Sequence, residues 1–256
     1  MNNVSKTLYI PLCGKALVSR LGILLHDPKA EEIWAAEGFP LKGKAASKWL
    51  AYYMGMRSAV FDRWLKDQLE AMPDAIVLHL GCGLDSRCLR VNVPSAWYDV
   101  DFPEVIAERE KFFSESGTYH MIGSDIRDLG WLSGLPKGPA VVVMEGISMY
   151  LHPEALGQVL RSLTAHFSQV RLLMDCYTSL AAKASKYKNP INQVGVTEVF
   201  GLDDPASVGG VRFLREHPMT PDDLIAQLTP GEQRIFRKLY AGRFAHKLYR
   251  LYEYSR

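Results

Sequence analysis

The sequence has little of what marks metal-binding, nucleic-acid-binding or membrane proteins. Its 4 cysteines are scattered and form neither a Cys-x-x-Cys pair nor a cysteine–histidine spacing, which predicts free thiols in a reducing compartment and no metal site. The net charge is only +2 and no long basic run occurs, so the chain lacks the electrostatic footprint of a nucleic-acid partner. No apolar run reaches the roughly 18 residues of a membrane span, and the N-terminus lacks the apolar core of a signal peptide. We therefore expect a cytoplasmic protein without a membrane partner.

Motifs of nucleophilic catalysis and of phosphate binding are also missing. The chain contains no serine nucleophile elbow and no Walker loop. It has no internal repeat and no low-complexity tract. What remains is a chain of 256 residues, 48 % of them apolar, which is enough for one α/β domain with additions or for two small domains.

Strand and helix signals alternate through the middle of the chain. Short apolar runs rich in β-prone residues predict strands at 75–80, 96–100, 119–123, 140–145 and 170–175. Helix signals fall between them, at 85–90, 103–116, 126–132 and 153–167. Strands that alternate with helices favour a parallel sheet whose crossovers are right-handed.

The residues before this alternation, 1–73, are expected to form a helical cap. An Asp-Pro dipeptide at 27–28 predicts a helix over 28–37, and apolar residues at three-to-four spacing predict a longer helix over 45–69. Gly55 lies in the middle of the longer helix and weakens that prediction.

The rest of the chain, 74–256, is assigned to the core. A helix is predicted over 177–187, followed by a long loop or late insertion around 188–220, where turn-forming pairs of residues cluster. The last stretches, 234–240 and 244–254, alternate in patches and predict a hairpin or two antiparallel edge strands.

The turn after the first predicted strand contains Gly81 and Gly83 and leads into a helix start at Asp85 and Ser86. A strand, a glycine turn and a helix form the mouth where doubly wound sheets bind nucleoside cofactors, although the same pattern also serves as plain strand–helix punctuation. The third glycine of a dinucleotide site is missing, and a carboxylate beside the turn disfavours a pyrophosphate. A cofactor without phosphates, such as S-adenosylmethionine, therefore fits better. A nicotinamide-dependent oxidoreductase on a similar sheet is the alternative.

Acidic residues follow the next two predicted strands. Asp101 lies about eighteen residues after the glycine turn, close to the ~20 expected for an acid that binds ribose hydroxyls. The alternative is that Asp101 only caps the helix that begins at Pro103, although one residue can serve both roles. We favour Asp101 over Asp99, which we expect to face the other side of its strand. Asp125 with the apolar Ile126 suits an adenine amino group and ring, and a helix cap is again the alternative.

Glu145 ends a strand apolar enough to be central and buried, so its carboxylate needs either a ligand or a structural salt bridge. Tyr150 and His152, shortly after it, are candidates for the acceptor pocket, although an aromatic residue or a lone histidine is more often structural. Arg57 on the long N-terminal helix would grip a carboxylate in a bidentate fork if that helix crossed the mouth of the site. Otherwise it is a solvated charge.

Four stretches, in this order and spacing, together resemble the leucine carboxyl methyltransferase family, which includes the tetracenomycin polyketide O-methyltransferase-like proteins. They are Arg57 to Asp62 (RSAVFD), Leu80 to Arg87 (LGCGLDSR), Tyr98 to Ile106 (YDVDFPEVI) and Glu145 to Leu151 (EGISMYL). The resemblance covers about residues 45–180. Ala59 stands where the family pattern has a second arginine, and the region 188–220 matches nothing in that pattern.

This resemblance implies a class I S-adenosylmethionine-dependent methyltransferase fold, with an α/β, Rossmann-like core. Its sheet would have seven strands, mostly parallel, and the C-terminal hairpin would supply the antiparallel strand. The resemblance also implies a set of cofactor contacts, which run from the methionine end to the adenine end through Arg57, Glu145, Gly146, Gly81, Gly83, Asp101, Phe102, Asp125 and Ile126.

The expected reaction is transfer of the methyl group of S-adenosylmethionine to a carboxylate or hydroxyl oxygen of a small molecule or a peptide terminus. The main task of such a protein is to align the acceptor with the methyl group, and we predict no named catalytic residue. A non-catalytic protein that keeps the cofactor pocket as a scaffold is a second alternative. The sequence predicts no oligomeric state.

Overall fold

A sheet of seven strands forms the centre of the protein. The computed structural model describes residues 5–188 and 198–256. The strands are β1 (Ile76–Leu80), β2 (Trp97–Asp101), β3 (Tyr119–Gly123), β4 (Pro139–Met144), β5 (Gln169–Tyr177), β6 (Arg212–Glu216) and β7 (Tyr249–Ser255). They lie in the order β3-β2-β1-β4-β5-β7-β6; β1 to β5 are parallel, and β7 is antiparallel to both of its neighbours. The predicted α/β class, a mostly parallel sheet with an antiparallel C-terminal strand, is confirmed.

Helices precede the sheet and connect its strands. They are α1 (Tyr9–Arg20), α2 (Pro28–Glu37), α3 (Lys48–Ala71), α4 (Arg87–Val91), α5 (Pro103–Arg109), α6 (Pro153–His166), α7 (Ser179–Lys188), α8 (Asp222–Ile225), α9 (Pro230–Leu239) and α10 (Arg243–His246). Helices α2, α3, α6 and α7 closely match their predictions. The helix predicted over 103–116 ends early, at Arg109, and the one predicted over 126–132 is replaced by the short 3-10 helix Leu129–Gly134.

The length and polarity of the described helices do not suit a membrane span. In the described ranges, none of them combines the length and the apolar character that a bilayer span requires.

The strands β1 and β4 form the middle of the sheet. Val141, Val142 and Val143 of β4 have 0 % of their surface exposed, as expected of a parallel strand that is covered on both faces. β1 pairs with β2 on one side and with β4 on the other, so the strand order reverses between β1 and β4. In such sheets, ligands bind at this reversal, in the crevice outside the carboxyl ends of the strands.

The long helix α3 packs on the sheet, and α1 packs across α3. Met56, Phe61 and Leu65 of α3 are fully buried in one cluster with side chains of β1, β4 and β5. A Cβ atom on Gly55 would lie only 2.9 Å from Cγ2 of Val18 in α1. The glycine that weakens the helix prediction therefore allows the two helices to approach each other. The division into a cap and a core at residue 73 stays a prediction.

The C-terminal edge of the sheet differs from the prediction. Of residues 234–240, predicted as an edge strand, 234–239 form the second half of α9 instead, and Tyr240 is its C-cap. This helix begins with a capping box between Thr229 and Glu232, and Phe236 on its inner face is fully buried. The capping box and Pro230, which start a helix just before the predicted strand, therefore outweigh the weak alternation of apolar and polar residues within 234–240.

The outer strand is β6, which lies inside the region 188–220 that was predicted as a loop or insertion. It pairs with β7 although α8, α9 and α10 lie between them in the chain, so distant segments form this edge rather than a hairpin. The Phe213 ring packs edge-on against Tyr252 and Tyr254 of β7, at centroid distances of 5.7 and 5.9 Å. A short strand of this kind depends on its cross-strand neighbours, which its own residues do not reveal. The part of the predicted loop at 189–197 lies outside the described residues.

We expect Gly55→Leu to lower the free energy of unfolding by about 1–3 kcal/mol, because overpacking forces α1 away from α3. Urea unfolding followed by circular dichroism measures this change. The matched control is Gly231→Leu in α9, where an added Cβ atom meets nothing within 4 Å. Equal stability of the Gly55→Leu and wild-type proteins would contradict the close packing of these helices.

Candidate active site

A cavity of about 640 Å³ opens at the carboxyl ends of the parallel strands. It lies where the strand order reverses, as expected of a ligand site in an open α/β sheet. Almost all of the residues singled out from the sequence line it, namely Arg57, Gly81, Gly83, Asp101, Phe102, Asp125, Ile126, Glu145, Gly146 and Tyr150. Most follow strands, whereas α3 brings Arg57 to the cavity from outside the sheet. Their roles toward a cofactor stay predictions.

The glycine turn after β1 has a backbone that other residues rarely adopt. Gly81 has a φ of +68°, and Gly83 has a φ of +52°. A Cβ atom on Gly81 would lie 2.1 Å from Cγ2 of Ile147, so this position needs glycine for its conformation and for space. The Gly81 N–H donates to the Val100 carbonyl at 2.8 Å, which ties the turn to β2.

Asp101 at the end of β2 holds the same turn. Its Oδ2 accepts a hydrogen bond of 2.7 Å from the Gly83 N–H, and its Oδ1 accepts one of 2.8 Å from the Phe102 N–H. Burial raises the pKa of Asp101 to about 6. Asp101 therefore stays ionised at neutral pH and presents a carboxylate that lines the cavity beside the glycine turn.

Asp125 after β3 is paired within its own turn. Its carboxylate accepts from the Arg127 side chain, with Nη2 to Oδ2 at 2.5 Å, and from the Arg127 backbone N–H at 3.0 Å. The hydrogen bond from the Arg127 side chain lowers the pKa of Asp125. Asp125 and Ile126 border the cavity on the β3 side.

Arg57 is not a solvated charge, since only 5 % of its surface is exposed. Its Nε donates to Oε1 of Glu145 at 3.0 Å. Its Nη1 donates to Oδ2 of Asp175 at 2.9 Å and to the Tyr249 hydroxyl at 2.8 Å. Glu145 is therefore salt-bridged at the wall of the cavity, and its role toward a ligand stays a prediction.

Asp175 is a site residue that sequence reasoning missed. It lies near the carboxyl end of β5, is fully buried, and accepts from the Gly146 N–H at 2.6 Å. The Tyr249 hydroxyl donates to its Oδ2. The signal was an acid close to the end of an apolar strand, the same pattern that singled out Glu145.

Lys15 of α1 was also missed. It is 3 % exposed, lines the cavity, and its Nζ lies 3.0 Å from Oδ2 of Asp85. Burial lowers the pKa of this lysine, while the charge of Asp85 acts in the opposite direction. A single lysine on a helix gives no sequence signal of such a position, because only the tertiary packing buries it.

Two further arginines extend these contacts into a buried ion network. Arg87 pairs with Glu145 and lies 2.7 Å from Asp62 Oδ1 and 3.2 Å from Asp85 Oδ2. Arg90 pairs with the same Asp62 and Asp85, at 2.8 Å each, and with Asp27 at 2.5 Å. Strand ends and N-terminal helices are therefore connected through ion pairs behind the cavity.

The network keeps Glu145 ionised. Burial by itself would raise the pKa of Glu145, but the charges of Arg87 and Arg57 outweigh that effect and lower the pKa to about 2. Glu145 is therefore a fixed negative charge at any pH near neutrality.

The two acceptor-pocket candidates are not together. Tyr150 lines the cavity, but His152 does not. The His152 side chain is 58 % exposed, its Nδ1 accepts from the Glu154 N–H at the start of α6, and its ring contacts Phe200. The interpretation of His152 as a pocket residue is therefore not supported by its position.

The cavity has two chemically different halves. The half over β1, β2 and β3 carries the glycine turn with Asp101 and Asp125, and Glu145 after β4 adjoins it. The half over β4, β5 and β7 is lined by aromatic and aliphatic side chains, which are Leu50, Tyr53, Met54, Met149, Tyr150, Tyr177, Ala181, Ala184, Leu239, Tyr240, Phe244, Ala245, Leu248 and Tyr249.

Comparison with known protein families gives one match that covers most of the chain. The profile of the family described as leucine carboxyl methyltransferase matches residues 10–164. The chain is 31 % identical to the tetracenomycin polyketide synthesis O-methyltransferase TcmP of Streptomyces glaucescens, over 98 % of this chain and 97 % of that protein. It is 28 % identical to the S-adenosyl-L-methionine-dependent methyltransferase dpfgK of Gibberella zeae, over 63 % of this chain and 60 % of that protein.

Solved structures with a similar fold include proteins described as methyltransferases. A putative methyltransferase from Thermobifida fusca superposes with a TM-score of 0.56 at 14 % identity, over 94 % of this chain and 93 % of that chain. The magnesium protoporphyrin IX methyltransferase of Synechocystis PCC 6803, solved with S-adenosylhomocysteine, has a TM-score of 0.51 at 12 % identity, over 90 % and 93 %. At these identities the likeness concerns the fold alone.

We expect Arg87→Met to lower the free energy of unfolding at pH 7 by about 3–5 kcal/mol, because buried carboxylates lose their partner. In the wild-type protein the pKa of Glu145, about 2, lies below its ordinary value of 4.5. Its ion pairs therefore contribute stability that is present above roughly pH 4.5 and is lost as the pH falls toward 2. The variant should lose part of that acid dependence, which urea unfolding between pH 3 and pH 7 measures.

Arg63→Met is the control for this substitution. The Arg63 side chain is 51 % exposed in a surface pair with Asp223, and loss of such a pair costs at most about 1 kcal/mol. Equal losses in the two variants would contradict a buried network that depends on Arg87.

Proposed function

Since the chain belongs to the leucine carboxyl methyltransferase family and is an S-adenosylmethionine-dependent methyltransferase, we propose that it methylates an oxygen atom of a small aromatic acceptor. The observation that carries this proposal is the division of one cavity into a carboxylate-bearing half and an aromatic half. Cavities of this size hold a drug-sized ligand, with a few polar groups that fix its orientation.

The carboxylate-bearing half suits the cofactor, because its residues match the cofactor's groups one by one. The two oxygens of Asp101 suit the vicinal hydroxyls of a ribose. Phe102 and Ile126 offer apolar surface for an adenine ring, and Asp125 offers an acceptor for its amino group. We assign the amino group of the methionine end to Glu145, which stays ionised.

The carboxylate of the methionine end needs cations, and the cavity offers two. The Nε and Nη1 groups of Arg57 donate to protein partners, and its Nη2 lies 3.0 Å from Oε1 of Glu145, so a bidentate fork onto a ligand would break one of these contacts. Lys15 has three N–H groups and one close acid partner, Asp85. We therefore assign this carboxylate to Lys15, and the Arg57 guanidinium, which its protein partners hold in place, supplies the second positive charge at the cavity wall.

When bound, S-adenosylmethionine supplies a methyl group on a positively charged sulfur. The aromatic half then has to hold the acceptor oxygen in line with that methyl group. Rings such as Tyr53, Tyr177 and Tyr249 favour a flat, ring-bearing acceptor by stacking and edge contacts. A peptide terminus suits this half less well, because an extended backbone brings polar groups that aromatic walls do not satisfy.

A hydroxyl acceptor must also lose its proton, whereas a carboxylate need not. Tyr249 lines the cavity, and its hydroxyl donates to Asp175 and accepts from Arg57. We assign the proton transfer to this pair: the acceptor proton passes to the Tyr249 oxygen while the Tyr249 proton passes to Asp175. Burial raises the pKa of Asp175, which favours its uptake of a proton.

The acceptor class is tested with methyl-labelled S-adenosylmethionine and four matched probes, namely 1-naphthol, 1-naphthoic acid, 1-naphthylamine and 1-naphthalenethiol. A peptide that ends in leucine represents peptide acceptors. We expect label on the hydroxyl or the carboxyl probe. Label on the amine, the thiol or the peptide alone, or on none of the probes, would refute the proposed acceptor class.

Tyr249→Phe should slow methylation of 1-naphthol about tenfold or more and leave methylation of 1-naphthoic acid within a factor of about three, on the scale of general base catalysis. Tyr252→Phe, on the same strand but outside the cavity, is the matched control. If Tyr249→Phe slows both probes equally, the proton-transfer role is wrong.

The ribose role of Asp101 predicts a pH dependence that can be measured without an acceptor. Because burial raises the pKa of Asp101 to about 6, the carboxyl group takes up a proton as the pH falls through that value. Ribose hydroxyls donate to the ionised form, so the affinity for S-adenosylhomocysteine should be constant above about pH 7 and fall below about pH 6. Calorimetry from pH 5 to pH 8 measures this.

Asp101→Asn should weaken binding at neutral pH by about tenfold or more, the scale of a hydrogen bond to a charged group. It should also remove the decline near pH 6. If the variant binds as tightly as the wild-type protein, the ribose assignment is wrong.

A further inference from the structure

The strand β2 carries a second carboxylate behind the glycine turn. Side chains two residues apart on a strand share a face, so Asp99 lies on the same side as Asp101, and the sequence interpretation that it faces away is wrong. Asp99 has 0 % of its surface exposed. It accepts from Trp97 Nε1 at 2.8 Å and from the Tyr119 hydroxyl at 2.7 Å.

The cation that balances Asp99 is Arg109 in the last turn of α5. This arginine is fully buried, and its Nη2 lies 2.6 Å from Oδ2 of Asp99. Its Nε donates to the Tyr119 hydroxyl at 2.9 Å, and its guanidinium lies 3.9 Å from the centre of the Phe113 ring. These contacts leave the guanidinium little freedom to move.

One edge of the same guanidinium reaches the cofactor turn. Nη1 of Arg109 donates to the carbonyl oxygen of Gly83 at 3.1 Å. The N–H of Gly83 donates to Asp101 on the other side, at 2.7 Å. The two peptide groups that flank Gly83 are therefore held from opposite sides, one by Asp101 and one by Arg109.

Arg109 acts on Asp101 through charge as well as through the backbone. Burial raises the pKa of Asp101 and the negative charge of Asp99 adds to that effect, whereas the positive charge of Arg109 acts against it. Asp99 on β2 and Arg109 on α5 are the charged side chains that act on Asp101. Arg109 therefore favours the ionised form of the carboxylate.

An ion pair at this depth is a poor source of stability, because desolvation offsets most of its Coulomb energy and apolar residues of similar volume often serve as well. An apolar pair at this place could not make the hydrogen bond from Arg109 to the Gly83 carbonyl. This bond is made to the glycine turn that lines the cavity, and the Gly83 N–H of the same turn orients Asp101.

We propose that Arg109, anchored by Asp99, is a positioning residue for the cofactor, which holds the Gly83 turn and the Asp101 carboxylate in the geometry that receives the ribose hydroxyls. This inference rests on the proposed ribose role of Asp101. Arg109 touches neither the cofactor nor the acceptor; it acts through Gly83 and Asp101.

The test is a double-mutant cycle between Arg109→Met and Asp101→Asn, read as the dissociation constant of S-adenosylhomocysteine by calorimetry at pH 7.5. Arg109→Met alone should weaken binding about tenfold, the scale of a charge-assisted hydrogen bond. In the Asp101→Asn protein the same substitution should cost less than about threefold, because its route to the ribose is already broken. Equal losses in both backgrounds, or no loss in either, would overturn the inference.

A second measurement does not require the doubly substituted protein. In Arg109→Met, the decline of affinity at acid pH should begin at a higher pH than in the wild-type protein, since the cation that favours ionised Asp101 is gone. A role confined to folding would lower the unfolding temperature and leave this pH dependence unchanged.

If Arg109→Met does not fold, the double-mutant cycle is made on the neutral pair Asp99→Asn with Arg109→Met, which leaves no carboxylate without its partner and still removes the hydrogen bond to Gly83. Arg250→Met is the matched control. The Arg250 side chain is 23 % exposed in a pair with Glu216 and lies outside the cavity. The Arg250→Met protein should therefore bind S-adenosylhomocysteine as the wild-type protein does.

The two hypotheses fail in different ways. If Asp101→Asn by itself does not weaken binding, the ribose role fails and the inference falls with it. If Asp101→Asn weakens binding but Arg109→Met does not, only the positioning role is refuted.

Discussion

Opposite charges buried between the N-terminal helices and the strand ends are the constraint on which the rest of the structure depends. Arg57 and Arg87 both meet Glu145, and Arg87 and Arg90 share Asp62 and Asp85. An ionised group in such a place is tolerated only with its partners, because its desolvation costs several kcal/mol. The helices that supply the partners are therefore bound to one position over the sheet.

That constraint shapes the cavity. α3 brings Arg57 to the wall of the site and α1 brings Lys15, so the methionine end of the cofactor would meet charges that are already in place. On the other side of the strand reversal, β5 and β7 bring aromatic rings together. A carboxylate-bearing half and an aromatic half can adjoin because β1, β2 and β3 carry the first, whereas β5 and β7 supply aromatic rings of the second.

The predictable part of the fold is the part whose signals are local. Strands β1 to β5 and helix α6 carry apolar runs, prolines and caps within their own sequence, and they were placed almost correctly. The start of α5 at Pro103 was also correct, but its end was not. β6 and α9 were not predicted, since β6 is defined by pairing with β7 across 32 residues between Glu216 and Tyr249. Gly55 also shows that local signals are insufficient. A glycine weakens an isolated helix, but here it is required for the close packing of α1 and α3.

The sequence by itself determined the chemistry at the mouth of the sheet, because the glycine turn and the acids that follow parallel strands converge wherever the strand order reverses. Only the tertiary structure decided which charges meet there. Lys15, Asp175 and Arg109 come from three distant elements, and Asp99 differs from Asp101 only in depth along one strand face. Burial and partner distance fix the roles of such residues, and both are properties of the packed chain rather than of any segment of it.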